Sequence, residues 1–182
     1  EVYQVRKKGN VLHYVKGPLP EKGRMIKCRI NQDQRLSHMR MHTAQHLLSA
    51  LIWKKYKAAT VGNQIHATHS HIDFHPAQFD LDQLKEIEKE MNELIDKGIE
   101  ITCRPMKRSL IEDLLEEERV DLSRLPSSVK ELRTILIGEN GMVDLCPCAG
   151  THVRNISELK GIKITKRKSK GSGKVRVQYE LF

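Results

Sequence analysis

The chain has 182 residues, with 32 Lys and Arg against 23 Asp and Glu and a formal net charge of +9. That length fits one ordinary domain with a small appendage, and the charge fits a polyanionic partner such as nucleic acid. With 3 Phe, 4 Tyr and 1 Trp, no disorder-like composition and no apolar run of membrane-spanning length, the composition argues against base-stacking strand binders, disordered segments and membrane helices.

Cys28, Cys103, Cys146 and Cys148 are scattered, and at least one serves better as a ligand than as half of a bridge. This points to a reducing compartment, and a cytoplasmic location is expected. The amino terminus EVYQVRKKGN lacks an apolar signal core. Because it opens within a predicted strand on a residue other than Met, an upstream segment is expected.

The first elements are β. Val2, Val5, Val11, Tyr14 and Val15 around Gly9-Asn10 predict a hairpin, and RMIKCRI after Gly23 predicts a further strand, closing a first unit over 1–35. Residues 36–182 form the second. Ser37 is placed to cap a helix whose Met39, His42, His46, Leu47, Ala50, Leu51 and Trp53 recur at helical spacing. Residues 64–75 read as a strand with Ile72 and Phe74 on one side and His69, His71, Asp73 and His75 on the other. Asp80 with Gln83 predicts a capping box for a helix buried through Leu84, Ile87, Met91, Leu94 and Ile95 and stopped by Gly98. IEITCR follows as a strand up to Pro105, then a short helix opened by Ser109, then a polar loop. LRTILI and MVDL predict a hairpin that delivers Cys146 and Cys148, and GIKITKRK with KVRVQYELF predicts the closing hairpin. Helices and antiparallel strands in blocks give an α+β fold, an antiparallel sheet with packed helices.

Two pairs of metal-ligand residues lie far apart in this pattern. His42 and His46 stack on one helix face, and Cys148 and His152 enclose Ala149-Gly150-Thr151, small residues that permit a tight turn. Together they supply an N,N,S,N set suited to one tetrahedral Zn2+. A protease of the HExxH type needs Glu directly after the first His, where this chain has Thr43. Cys146 is a competing thiol, although Cys148 alone gives the CxxxH spacing. His69, His71 and His75 with Asp73 can line the wall of a polar cleft. Lys163, Lys166, Arg167, Lys168, Lys170, Lys174 and Arg176 gather on the last hairpin, where they are candidates for nucleic-acid phosphate contact.

RMHTAQHLLSALI followed by DLCPCAGTHVRNISELKGIKI resembles the editing domain of alanyl-tRNA synthetase and, more closely, the free-standing alanyl-tRNA editing proteins of medium length. The likeness runs over nearly the whole chain. It implies a synthetase editing-domain-like fold, preceded at 1–35 by the end of a small β-barrel. It also implies zinc on His42, His46, Cys148 and His152, and hydrolysis of serine or glycine wrongly attached to alanine tRNA. An aminoacyl ester is already activated, so positioned water and oxyanion stabilisation suffice without a covalent nucleophile. Four protein ligands close a tetrahedral zinc, so the metal either expands its coordination or shapes the pocket. Rejecting alanine requires a buried group satisfied by the serine hydroxyl, with Thr43, Asn63 and Gln64 as candidates. Asp73 is expected to hold neighbouring donors, and Gly150 and Thr151 to hold the ester. Two departures stand out: CAGTH replaces the family's CGGTH, and DLC also resembles the threonyl-tRNA synthetase editing domain, which leaves threonine tRNA carrying serine as an alternative. A zinc-stabilised tRNA-binding module without activity is the alternative of a different class.

Overall fold

The computed structural model describes the backbone of residues 1–182 and every side chain except that of Arg124. The chain separates into two units, Glu1–Asn31 and Gln32–Phe182. In the first, β1 (Val2–Lys8) and β2 (Asn10–Val15) pair antiparallel around Gly9, whose φ of 70° is open to a residue without a Cβ. RMIKCRI is not the expected strand: residues 24–30 have no strand assignment, and pairing in this unit is confined to β1 and β2. Apolar alternation supplies a face for a strand but not the neighbouring edge that its N–H and C=O groups require.

The second unit runs α1 (Gln32–Tyr56), β3 (Ala59–Gln64), β4 (His69–His75), α2 (Leu81–Lys97), β5 (Ile101–Lys107), α3 (Arg108–Leu114), β6 (Glu131–Ile137), β7 (Asp144–Pro147), β8 (Ile162–Ser169) and β9 (Val175–Leu181). Its strands form antiparallel sheets of order β3-β4-β9-β8 and β5-β6-β7. The fold is mixed α and β with antiparallel sheets and three helices.

Helix α1 begins at Gln32, so Ser37 lies inside it and its hydroxyl donates to the Asp33 carbonyl at 2.9 Å instead of capping. From Met41 to Trp53 the helix is buried on nearly every side, with His42 and Ser49 alone partly open. The expected single apolar stripe is therefore too narrow a description, because strands of both sheets pack against this helix. All-round burial marks a helix inside the core, each fully buried Leu or Ile contributing on the order of 1.5–3 kcal/mol. The Asp80–Gln83 capping box and the left-handed Gly98 stop of α2 form as expected. Helix α2 also screens the edge strand β8: Glu88 accepts from the Ile164 amide at 2.5 Å and Asn92 from the Ile162 amide at 2.9 Å. These bonds satisfy groups that a bare edge would leave open to other chains.

Residues 64–75 hold parts of two strands, with β3 ending at Gln64 and β4 starting at His69. Strand β5 runs through Pro105, which an edge strand tolerates because the missing N–H can face away from the sheet. Ser109 lies inside α3, whose cap is Lys107. The alternation of β4 is as expected: Ser70, Ile72 and Phe74 are buried, and His69, His71, Asp73 and His75 take the other face.

On that outer face Asp73 and its cross-strand partner Arg176 form two hydrogen bonds, at 2.7 and 2.8 Å. The guanidinium holds the Asp73 carboxyl below the usual carboxylate range. A depressed folded pKa means that the pair stabilises above the unfolded carboxylate's value and is lost as pH falls through the folded one. Asp73→Asn is expected to lower stability by about 1 kcal/mol at neutral pH. Urea unfolding should show the difference from wild type closing as the pH drops below the ordinary aspartate value of about 3.9.

Candidate functional site

Helix α1, strand β3, the end of β7 and the segment 118–121 enclose a cavity of about 470 Å³. His42 and His46 face it from α1, and Cys148 from the turn after β7. His42, His46, Cys148 and His152 each offer a ligand atom within 4.8 Å of the others, the one such metal-competent group among the described residues. Residues 106 positions apart meet because the β6–β7 hairpin carries the CPCAGTH turn onto the buried middle of α1, where Cys148 Sγ lies 3.6 Å from His42 Nε2.

Each histidine is held from behind. His42 Nδ1 lies 3.3 Å from the Thr151 carbonyl, His46 Nδ1 3.0 Å from Asp144 Oδ2, and His152 Nδ1 3.1 Å from the Thr43 hydroxyl. With Nδ1 engaged, Nε2 is free to face the cluster, and His152 Nε2 is buried there without a hydrogen-bond partner. An orphaned imidazole nitrogen aimed at a thiol and two further imidazoles is what a metal would satisfy, so the residues fit zinc.

The electrostatics agree. Burial pushes the Cys148 thiol up, but the imidazoles of His152, His42 and His46 gathered around the sulfur outweigh it and bring the pKa down to about 3. Cys148 is therefore a thiolate, the ligating form. Burial resists charge on His46, yet Asp144 and Cys148 prevail and raise it to about 9, whereas burial holds His152 below the ordinary histidine value. Burial beside Asp144 pushes the Cys146 thiol far up, so of the two candidate sulfurs Cys148 has the ligand's chemistry.

Gly150 is required by space. A Cβ there would stand 2.3 Å from His42 Cε1 and 2.7 Å from His42 Nδ1, distances no ordinary contact allows. Ala149 sits in the same turn without a positive φ, so the CAGTH departure introduces no backbone strain. Arg133 Nη1 fixes the turn by donating to the carbonyls of Cys148 and Gly150 at 2.6 and 2.7 Å.

The other expected site residues are dispersed. Thr43 is fully buried behind His152, and its hydroxyl also accepts from the Val153 amide at 3.3 Å. Asn63 lines the cavity, while Gln64 pairs with His71 on the other sheet face and is not among the lining residues. Thr151 supports His42 through its carbonyl, and Gly150 donates its amide to Cys148 Sγ at 3.3 Å. Asp73 holds Arg176 on the outer face. Of the basic hairpin, Lys166, Lys168 and Lys170 are exposed and Lys174 is half-buried, whereas Arg167 donates to the Phe79 carbonyl at 2.7 Å and Arg176 is paired.

Several wall residues were missed from sequence. Gln45, Ser49 and Thr60 form a chain of hydrogen bonds at 3.1 and 2.8 Å along the cavity. The spacing of His42, Gln45, His46 and Ser49 along one helix face was the available signal. Asp144 shares a strand face with Cys146, but Arg119 comes from a loop with no local pattern.

Residues 132–178 match a family model described as the threonyl and alanyl tRNA synthetase second additional domain. The chain is 34% identical to the alanyl-tRNA editing protein AlaX-M of Methanosarcina barkeri, the match covering 99% of this chain and 75% of that protein. It is 30% identical to the alanyl-tRNA editing protein AlaX-L of Pyrococcus horikoshii, over 96% of this chain and 42% of the relative. It is also 31% identical to the alanine–tRNA ligase of Methanococcus vannielii, over 98% of this chain and 20% of the ligase.

Gly150→Ala is expected to displace His42 and weaken the affinity of the cluster for a divalent metal ion by roughly tenfold or more. Competition with a chromophoric chelator measures the affinity, and an unchanged far-UV circular dichroism spectrum would show that the fold is retained.

Proposed function

The chain belongs to the family of alanyl-tRNA editing proteins, and on that premise we propose that it is a zinc-dependent deacylase that removes serine or glycine from mischarged alanine tRNA. The observation that carries this reading is the cluster of three imidazoles and one thiolate at a cavity large enough for an aminoacyl group. Zinc bound there supplies positive charge to anchor the amino acid or water beside the ester.

The chain's own residues do the rest. Water adds to the ester carbonyl, the bond to the terminal ribose oxygen breaks, and a proton passes to that oxygen, so no covalent enzyme intermediate is needed. Asn63 shares the inner sheet face with Ile72 and lines the cavity, and in this reading its amide pairs with a serine hydroxyl. Asn63 is exposed in the free chain, so the bound aminoacyl end covers it, and alanine, which has no hydroxyl, would then leave the amide unpaired and be rejected. In this reading Thr43 holds His152, Gly150 and Thr151 form the turn that presents Cys148, and Gln64 and Asp73 lie on the outer face. The small β-barrel implied by the resemblance belongs to this proposal, with residues 1–35 as its end.

The tRNA approach is also part of it. Gly62 lines the cavity and pairs with Asp73, which pairs with Arg176, which pairs with Lys168. Three inter-strand steps of about 4.8 Å put the basic hairpin roughly 14 Å from the cavity. In this reading Lys166, Lys168 and Lys170 contact phosphates upstream of the 3′ end. Arg167, Lys174 and Arg176 complete the positive surface.

Two measurements test the proposal. Purified protein with zinc should deacylate alanine tRNA carrying serine or glycine and spare alanine. Chelation or Cys148→Ala should cost about 100-fold or more in rate. Threonine tRNA carrying serine, tested alongside, identifies the cognate tRNA. Binding of tRNA without turnover would replace the deacylase by a binding module. Separately, reversing Lys166 and Lys168 to Glu should weaken tRNA binding and reduce the salt slope by about 1.5 to 2 units in a titration over ionic strength.

A further inference from the structure

The carboxylate of Asp144 is 2% exposed and its two oxygens serve different parts of the site. Oδ2 lies 3.0 Å from His46 Nδ1, and Oδ1 accepts a hydrogen bond from Arg119 Nη2. A carboxylate this deeply buried is stable only when both ends are paired. Arg119 lies between α3 and β6 in a stretch that also sets Glu118, Val120 and Asp121 along the cavity. The same stretch is tied a second time: Glu116 accepts from Trp53 Nε1 at 3.2 Å and from Lys57 Nζ at 2.5 Å.

We propose that Asp144 is a positioning residue for two elements at once. Through Oδ2 it keeps His46 turned with Nε2 toward the other ligands, and through Oδ1 and Arg119 it registers the 118–121 wall against the metal centre. The width of the substrate cavity then follows from the group that orients the metal ligand. The inference rests on the metal-dependent reading above. It adds a role for two residues that contribute no ligand atom.

The chemistry separates the two roles. Asp144→Asn keeps the size but replaces one acceptor by a donor, so either the imidazole N–H or the guanidinium meets another donor. Arg119→Gln removes the guanidinium and leaves the Asp144–His46 contact in place. Zinc affinity is read on metal-stripped full-length protein by competition with a chromophoric chelator, and ligand geometry by the visible absorption of the cobalt-substituted protein. Asp144→Asn is expected to lose about 10–100-fold in zinc affinity and to change the cobalt spectrum, with far-UV circular dichroism retained. Arg119→Gln is expected to stay within about threefold of wild type in zinc affinity and to keep the cobalt spectrum, while KM for mischarged tRNA rises and kcat changes less. Arg119→Lys should recover part of the KM.

Asp144→Asn binding zinc as tightly as wild type would overturn the proposal, as would Arg119→Gln with wild-type KM. If Asp144→Asn does not fold, the Arg119 pair decides by KM alone. Wild-type protein that binds no zinc would defeat the metal reading itself, an outcome distinct from variants that behave like a zinc-binding wild type.

Discussion

An imidazole has two ring nitrogens, and a histidine becomes a dependable ligand when one of them is fixed from outside the site. Here three different groups do this: the Asp144 carboxylate, the Thr43 hydroxyl and the Thr151 carbonyl. One comes from β7, one from α1 itself and one from the turn that also bears Cys148 and His152. The ligand cluster therefore depends on the β6–β7 hairpin lying against α1, and α1 is held there by burial on nearly all sides between strands of both sheets. Between Met41 and Trp53 its partly open positions, His42 and Ser49, both line the cavity.

The four-stranded sheet divides labour by its pleat. Ile72, Phe74, Val175, Val177 and Tyr179 face the core, where the Tyr179 hydroxyl donates to the Met41 carbonyl at 2.9 Å and ties the sheet to α1. The opposite face carries Asp73, Arg176, Lys166 and Lys168. An irregularity between Thr60 and Gly62 adds one residue to β3, which moves Asn63 to the cavity side and Gln64 to the outer side. A metal-competent pocket and an exposed basic hairpin thus lie at opposite ends of one short cross-strand ladder. That layout suits a small reacting ester attached to a large polyanion.

Local chemistry made much of this legible beforehand. The capping box at Asp80, the stop at Gly98 and the alternation along β4 are satisfied by neighbours within a few residues, and all formed as expected. The ligand spacing was legible for the same reason, because a helix brings residues four apart together and a small-residue turn brings Cys148 toward His152. Ser37 and RMIKCRI failed because their patterns specify a tendency and not a partner. The sequence position of Thr43 next to His42 points to a place beside the substrate. The turn of the helix instead sends its side chain behind His152.

The sequence by itself determined the donor set, the helices and hairpins that carry it, the excess of positive charge on the last hairpin and the resemblance to editing proteins. All of these are short-range in the chain or additive over it. Only the tertiary structure decided that Asn63 and not Gln64 faces the cavity, and that Asp144 and Arg119 belong to the site. Those outcomes depend on strand register and on contacts between residues 25 and 98 positions apart, which no local period encodes.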